Sequence, residues 1–161
     1  MSYTIPAQTH IGHIHLKVAD LDRALSFYKD LLGFEITQRY GDSAVFISAG
    51  GYHHHIGLNT WHSKNAGAAP VRSAGLYHLA IVYPTRKDLA VILKILMEAE
   101  YPLTGASDHG VSEAIYLNDL DGNGVELYWD RPKEKWPLNT EGKLWMGTAA
   151  LDMEGLLAEL D

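Results

Sequence analysis

Two stretches of the chain share one order of elements: a strand-like run that carries a histidine, an amphipathic helical run, and then short strands. The first opens Gly12-His13-Ile14-His15-Leu16-Lys17-Val18 and the second opens Tyr77-His78-Leu79-Ala80-Ile81-Val82-Tyr83. From Ile11 to Val18 the residues alternate at a β period, with Ile14, Leu16 and Val18 on one face and His13, His15 and Lys17 on the other. Asp20 then stands at an N-cap position, and Leu21, Ala24, Leu25, Tyr28, Leu31 and Leu32 recur at helical spacing until Gly33 ends the run. Glu35 to Tyr40, Ala44 to Ser48 and Tyr52 to Asn59 read as three strands between Gly41-Asp42 and Gly50-Gly51 turns. The second half repeats the order. A strand spans Leu76 to Tyr83, a helix spans Thr85 to Ala99, and strands follow near Leu103, from Glu113 to Leu117 and from Gly124 to Trp129. Asp121-Gly122-Asn123-Gly124 reads as a hairpin turn in which Asn-Gly supplies the positive φ angles. The pattern predicts an α+β chain of two β-α-β-β-β modules, 9–62 and 75–130, with an extension over 131–161 that ends in a short helix. Ser63 to Ser73, rich in Ala, Gly and Ser, reads as the linker.

Composition narrows what such a chain can do. A net charge of −7 leaves no cationic excess to displace counterions, so nucleic acid is not an expected partner. No apolar run approaches the roughly 20 residues of a membrane helix, so no membrane partner is expected. The opening Met1-Ser2-Tyr3-Thr4-Ile5-Pro6 has neither a basic n-region nor an apolar h-region, and a secretory signal is not expected. With no cysteine, the chain needs no oxidising compartment, and the cytoplasm is the expected location.

Three side chains stand out against this background. His13 opposes Ile14 and Leu16, His78 opposes Leu79 and Ile81, and Glu126 opposes Val125 and Leu127. If the apolar faces pack on the helices, the two imidazoles and the carboxylate all point to the other side. A carboxylate there is costly to desolvate unless it is paired or bound to metal. One strand histidine alone is ordinarily a hydrogen-bonded core or surface residue. Its repetition, with a carboxylate on the closing strand, points to a divalent metal held by His13, His78 and Glu126, with one coordination face left open.

The same residues resemble a known family. His13…Asp20-Leu21…Phe27-Tyr28…Leu32-Gly33, and Asp119-Leu120-Asp121-Gly122-Asn123-Gly124-Val125-Glu126-Leu127, are similar to the vicinal oxygen chelate superfamily from about Ile11 to Pro132. That superfamily includes glyoxalase I, bleomycin-resistance proteins and extradiol dioxygenases. The resemblance implies strands forming a curved, partly closed sheet around a metal site, with positions for ligands at His13, Gly57, His78 and Glu126. Glyoxalases generally carry a side-chain ligand at the second of these, which suits Zn²⁺ or Ni²⁺. Gly57 offers none, and the remaining 2-His-1-carboxylate set suits Fe(II), with Mn(II) as an alternative.

The resemblance is therefore to catechol 2,3-dioxygenase-like members, and it implies ring cleavage of an aromatic diol by O₂ in a dimer. It leaves open whether the modules of one chain or of two enclose the site. The segment Ser107-Asp108-His109-Gly110…Ile115-Tyr116 resembles the one that supplies dioxygenases with a histidine acting on oxygen and a tyrosine that hydrogen-bonds the diol. Tyr116 lies ten residues before Glu126, an even separation that lets both face one side of a hairpin. The family's acid/base histidine matches His54, with His55 second; strict alternation groups His53, His55 and Gly57, so His54 needs a bulge to join them. A glyoxalase-like lyase or isomerase and a metal-free binding protein of the bleomycin-resistance type are the alternative functions.

Overall fold

In the computed structural model, which describes residues 2–70 and 72–161, the chain divides into two compact units, 1–67 and 68–161. Met1, and Val71 within the expected linker, lie outside the described residues.

The first unit runs β1 (Ile14–Lys17), α1 (Leu21–Leu25), a π-helical stretch (Ser26–Leu31), β2 (Glu35–Tyr40), β3 (Ala44–Ser48) and β4 (Ile56–Asn59). The carboxylate of Asp20 caps α1 by accepting from Arg23 N at 2.7 Å. The helical run expected through Leu32 is present, but its second half widens, with Leu32 N donating to Phe27 O at 3.0 Å. The wider turn seats two consecutive rings, Phe27 and Tyr28, in the core, edge to face at 4.9 Å. Gly33, at φ 84°, then ends the helix. The strands lie in the order β1-β4-β3-β2, with β1 parallel to β4.

The second unit runs β5 (His78–Val82), α2 (Arg86–Glu98), β6 (Leu103–Asp108), β7 (Ser112–Asn118), β8 (Gly124–Asp130), a 3₁₀ turn (Lys133–Lys135), β9 (Ala149–Ala150) and α3 (Met153–Leu157). Thr85 and Asp88 form a reciprocal capping box at the start of α2. Leu89, Leu93 and Leu96 bury its inner face with Ile115, Leu117, Leu127 and Leu156. The strand order is β5-β8-β7-β6-β9, again with the first strand of the module parallel to its last. The α+β class and both β-α-β-β-β modules are thus present, with one open sheet in each unit. Among the described residues, no helix is long and apolar enough to cross a membrane.

Two local expectations are corrected. Tyr52 to His55 is not strand; β4 begins only at Ile56. The turn before β8 does not place Asn123 or Gly124 at positive φ; Gly122 takes that role, at 84°. The Asp119 carboxylate shapes this turn, accepting from Asp121 N, Asn123 N and Asn123 Nδ2 at 2.8–2.9 Å. Gly124 is needed for another reason. It pairs with His78, and a Cβ there would collide with the carbonyl oxygen of Tyr77.

An ionic network braces the second unit. Arg131 forks onto Asp108 at 2.6 and 2.9 Å and reaches Glu113 at 2.7 Å. Arg86 holds the other Glu113 oxygen at 2.8 Å and also binds Glu159 and the carbonyl of Gly155. The hydrogen bond from Arg131, helped by Gly110 N–H, holds the Asp108 carboxyl below its ordinary range, with burial opposing. A depressed carboxyl pKa contributes stability above its unfolded value, and that stability is lost as pH falls through the folded one. Arg131→Met should therefore cost about 3 kcal/mol in urea unfolding at neutral pH, because it leaves Asp108 without its fork and Glu113 with one arginine. It should also flatten the acid limb of the stability profile.

Candidate metal centre

The site grows from the parallel pairing of β5 with β8. In that register His78 faces Gly124 and Ala80 faces Glu126, so one face carries His78, Ala80 and Glu126 while Leu79, Val125 and Leu127 turn into the core. Because Gly124 has no side chain and Ala80 only a methyl, the His78 imidazole reaches along the sheet to Glu126. The distance from Nε2 to Oε2 is 3.0 Å.

The antiparallel neighbour β7 completes the face. Tyr116 pairs with Glu126, and its hydroxyl donates to Oε1 at 2.9 Å. His109, in the loop before β7, places Nε2 2.6 Å from the same hydroxyl. Its Nδ1 lies 2.8 Å from the carbonyl oxygen of Gly147. A carbonyl only accepts, so Nδ1 carries a hydrogen and Nε2 faces the phenol. The four side chains form one line: His78, Glu126, Tyr116, His109. Burial first, then the hydrogen bond and charge of Glu126, push the Tyr116 phenol well above its ordinary range. Sequence reasoning passed over Gly147, because a backbone acceptor in an unpatterned segment leaves no side-chain signal.

The donor types suit a divalent ion. Glu126 is only 13% exposed, and among the described residues its ion-pair partner is His78, with no Lys or Arg against it. A mostly buried carboxylate beside an imidazole and a phenol lacks the full positive charge that a metal brings. Among the described residues, however, no three His, Cys, Asp or Glu groups are brought together around an ion position. His78 and Glu126 meet in the second unit, and His13 stands in the first.

In the first unit His13 immediately precedes β1, and its ring lies 4.4 Å from that of His54. His54 also sits 5.0 Å from the Phe46 ring, and its Nδ1 is 2.7 Å from Nδ1 of His53. Thr37, Gln38, Phe46, His53 and His54 line a shallow hollow here. The irregular segment before β4 removes the strand alternation that would have turned His54 away. His55 is engaged elsewhere: Ala49 N–H donates to its Nδ1 at 3.3 Å, and Ser48 Oγ lies 2.9 Å from the same atom. Burial, then the neighbouring imidazoles of His13, His53, His15 and His55, lower the His54 pKa below the ordinary histidine value. Gly57 offers no donor, as expected, but the space beside it is filled: His15 faces it across β1 and β4.

Comparison with known proteins agrees with this architecture. Residues 10–127 match the family model of the Glyoxalase/Bleomycin resistance protein/Dioxygenase superfamily. The chain is 41% identical over 157 residues to a catechol-2,3-dioxygenase of Bacillus subtilis (strain 168), covering 97% of this chain and 54% of that protein. It is 30% identical over 124 residues to biphenyl-2,3-diol 1,2-dioxygenase 3 of Rhodococcus globerulus, covering 74% of this chain and 63% of that one. The chain thus spans between half and two thirds of the length of these relatives. A lactoylglutathione lyase structure from Agrobacterium tumefaciens shares the fold, with a TM-score of 0.60 at 21% identity over 77% of this chain and 96% of that one. The duplicated module, its strand-borne histidines and the match over residues 10–127 make this chain a member of the Glyoxalase/Bleomycin resistance protein/Dioxygenase superfamily.

Proposed function

We propose that the chain is an extradiol ring-cleavage dioxygenase, or its metal-binding part, acting on a catechol-type aromatic diol with O₂ and using Fe(II), with Mn(II) as the other fitting ion. The observation that carries this reading is the unbroken contact chain His78–Glu126–Tyr116–His109. Two relatives named as dioxygenases of catechol and of a biphenyl diol support it. His78 and Glu126 would hold the metal, with His13 as the third donor. A divalent ion held by these residues would supply Lewis-acid and oxygen-activating chemistry.

The protein's own groups then handle protons. His54, whose lowered pKa keeps the imidazole neutral near pH 7, takes a proton from a diol hydroxyl. Tyr116 keeps its proton across the physiological range and offers its hydroxyl as a hydrogen-bond donor. With the phenol hydrogen directed at Glu126, His109 Nε2 bonds the phenol oxygen only as a donor, in the doubly protonated ring; in the neutral ring Nε2 is the acceptor, the phenol hydrogen turns to it and Glu126 loses that donor. Tyr116 and His109 can therefore pass one proton along a fixed line.

The metal assignment predicts that His13→Ala, His78→Ala and Glu126→Ala each lose most bound iron after anaerobic loading while retaining a native circular dichroism spectrum. Full occupancy in His78→Ala would falsify it. For the reaction, the iron-loaded protein should consume O₂ with a catechol and should not isomerise the hemithioacetal of methylglyoxal and glutathione; the reverse preference defeats the dioxygenase reading. His109→Ala should keep its metal and lose on the order of 10²–10⁴-fold in turnover. Tyr116→Phe should lose less, because it removes one hydroxyl. Wild-type turnover in both would make these residues structural. In the metal-free protein, Glu126→Gln removes the charge that opposes the phenolate. The alkaline midpoint of Tyr116, read as the difference from Tyr116→Phe, should fall, and an unchanged midpoint would mean the charge of Glu126 contributes nothing.

A further inference from the structure

Beside the loop that carries His109, residues 137–145 fold into a small hairpin of their own. Leu138 bridges to Leu144, Trp145 N–H donates to the Pro137 carbonyl at 2.9 Å, and Asn139 N–H donates to the Lys143 carbonyl at 2.8 Å. The Asn139 side chain closes the turn, its Oδ1 accepting from Glu141 N at 2.9 Å and from Lys143 N at 3.0 Å. Just ahead of the hairpin, Trp136 Nε1 donates to the carbonyl of Arg131 at 2.8 Å and anchors it to the residue after β8. Local bonds thus give this segment its shape, and that shape presents the rings of Pro137 and Trp145 to the His109 loop.

The two rings meet the two glycines that hold His109. A Cβ on Gly110, the residue after His109, would lie 2.9 Å from Pro137 Cγ and 3.4 Å from Trp145 Cζ3. A Cβ on Gly147 would run into Trp145 Cη2, Cζ2 and Cζ3. One edge of the indole therefore rests both on the covalent neighbour of His109 and on the residue that binds its ring and its backbone. Trp145 is 50% exposed, so core burial is not what the indole is placed for. Gly147 has no side chain to fix its own backbone, and a hydrogen bond weakens steeply once its angle opens. Its carbonyl stays on Nδ1 of His109 only if a neighbour holds it there, and the indole is that neighbour.

We propose that Trp145 is a positioning residue for His109: packed across Gly110 and Gly147, its indole fixes the Gly147 carbonyl against Nδ1 and leaves the neutral ring one tautomer, with Nε2 turned to Tyr116. The consequence for turnover rests on the part given to His109 under the proposed function. The consequence for the ring does not.

The test reads the His109 ring nitrogens by ¹⁵N NMR in the chelator-treated full chain, at a pH where the imidazole is neutral. Wild type, Trp145→Ala, Trp145→Phe and Gly147→Ala are compared, with His109→Ala to assign the signals. Wild type should show a protonated Nδ1 and a bare Nε2. Trp145→Ala should draw the two signals together, as the Nε2–H tautomer that a free imidazole favours in water becomes populated. Trp145→Phe keeps a ring over both glycines and should stay near wild type. Gly147→Ala should act like Trp145→Ala, because its methyl displaces the indole. Melts should place Trp145→Ala within a few degrees of wild type, since the indole is half exposed; should that variant fail to fold, Gly147→Ala decides the same question. With iron and a catechol, Trp145→Ala should lose on the order of tenfold in kcat with KM within about twofold, and Trp145→Phe should recover most of it. Wild-type nitrogen shifts in Trp145→Ala, or a change in Trp145→Phe as large as that in Trp145→Ala, overturn the positioning role. A changed tautomer with wild-type turnover overturns its bearing on catalysis. A wild-type chain that cleaves no diol defeats the proposed function, while the nitrogen shifts still decide what Trp145 does to His109.

Discussion

Everything at the candidate centre depends on the parallel pairing of the first and last strands of each module. A β-α-β-β-β run could close on itself in several orders, but here β4 returns beside β1 and β8 beside β5. That return brings residues 42 positions apart in the first unit and 46 apart in the second into register, and because side chains alternate at period two, it also decides which of them share a face. The helix packs against one face, so the polar residues of both strands are left on the other. Gly124 is the small residue that lets this happen at His78: a side chain there would force the strands apart at the point where imidazole and carboxylate must meet.

The second unit then treats two carboxylates of neighbouring strands in opposite ways. Glu113 turns to the face with Asp108 and Arg131 and is matched by two guanidinium groups. Glu126 turns the other way, to an imidazole and a phenol. The first arrangement is complete as it stands, and its arginines tie β7 to α2 and to the chain beyond β8. The second satisfies hydrogen bonds but not charge, and its field reaches outward: it contributes to raising the pKa values of Tyr116, Tyr128 and Asp130, each after burial. Two carboxylates of neighbouring strands are thus distinguished by what faces them rather than by burial.

Much of this was legible in the residues because period and punctuation carry it. Asp20, Gly33 and Thr85 bounded helices where capping chemistry says they should, and the alternation around Glu126 placed it opposite Val125 and Leu127. The signal failed where a third dimension was needed. Strand period was extended through Tyr52 to His55, although that segment leaves the ladder, and the positions of His54 and His55 depend on that departure. Asn123-Gly124 looked like a turn signature, whereas the glycine answers to a neighbouring strand and the turn to Asp119. Gly57 looked like an empty ligand position, because nothing in one dimension shows that His15 stands over it.

The least patterned part of the chain turns out to orient one of the proposed proton carriers. β9 pairs with the edge strand β6, Ala149 against Asp108 and Ala150 against Ser107, which brings the preceding residues alongside the loop that holds His109. Gly147 N–H donates to the carbonyl of His109 at 3.2 Å, and its own carbonyl takes the imidazole Nδ1. The backbone and the ring of one residue are thus both bound to Gly147. A side chain at 147 would run into the Trp145 indole, and one at 110 would press on Pro137, so two glycines allow the close packing of loop and segment. An imidazole held only by Tyr116 could rotate and offer either nitrogen. Held at Nδ1 by a group that cannot donate, it has one tautomer available when neutral, with its acceptor turned to the phenol. The geometry at Glu126 is therefore set by strand register, and the orientation of the His109 ring by a backbone carbonyl just ahead of a two-residue strand.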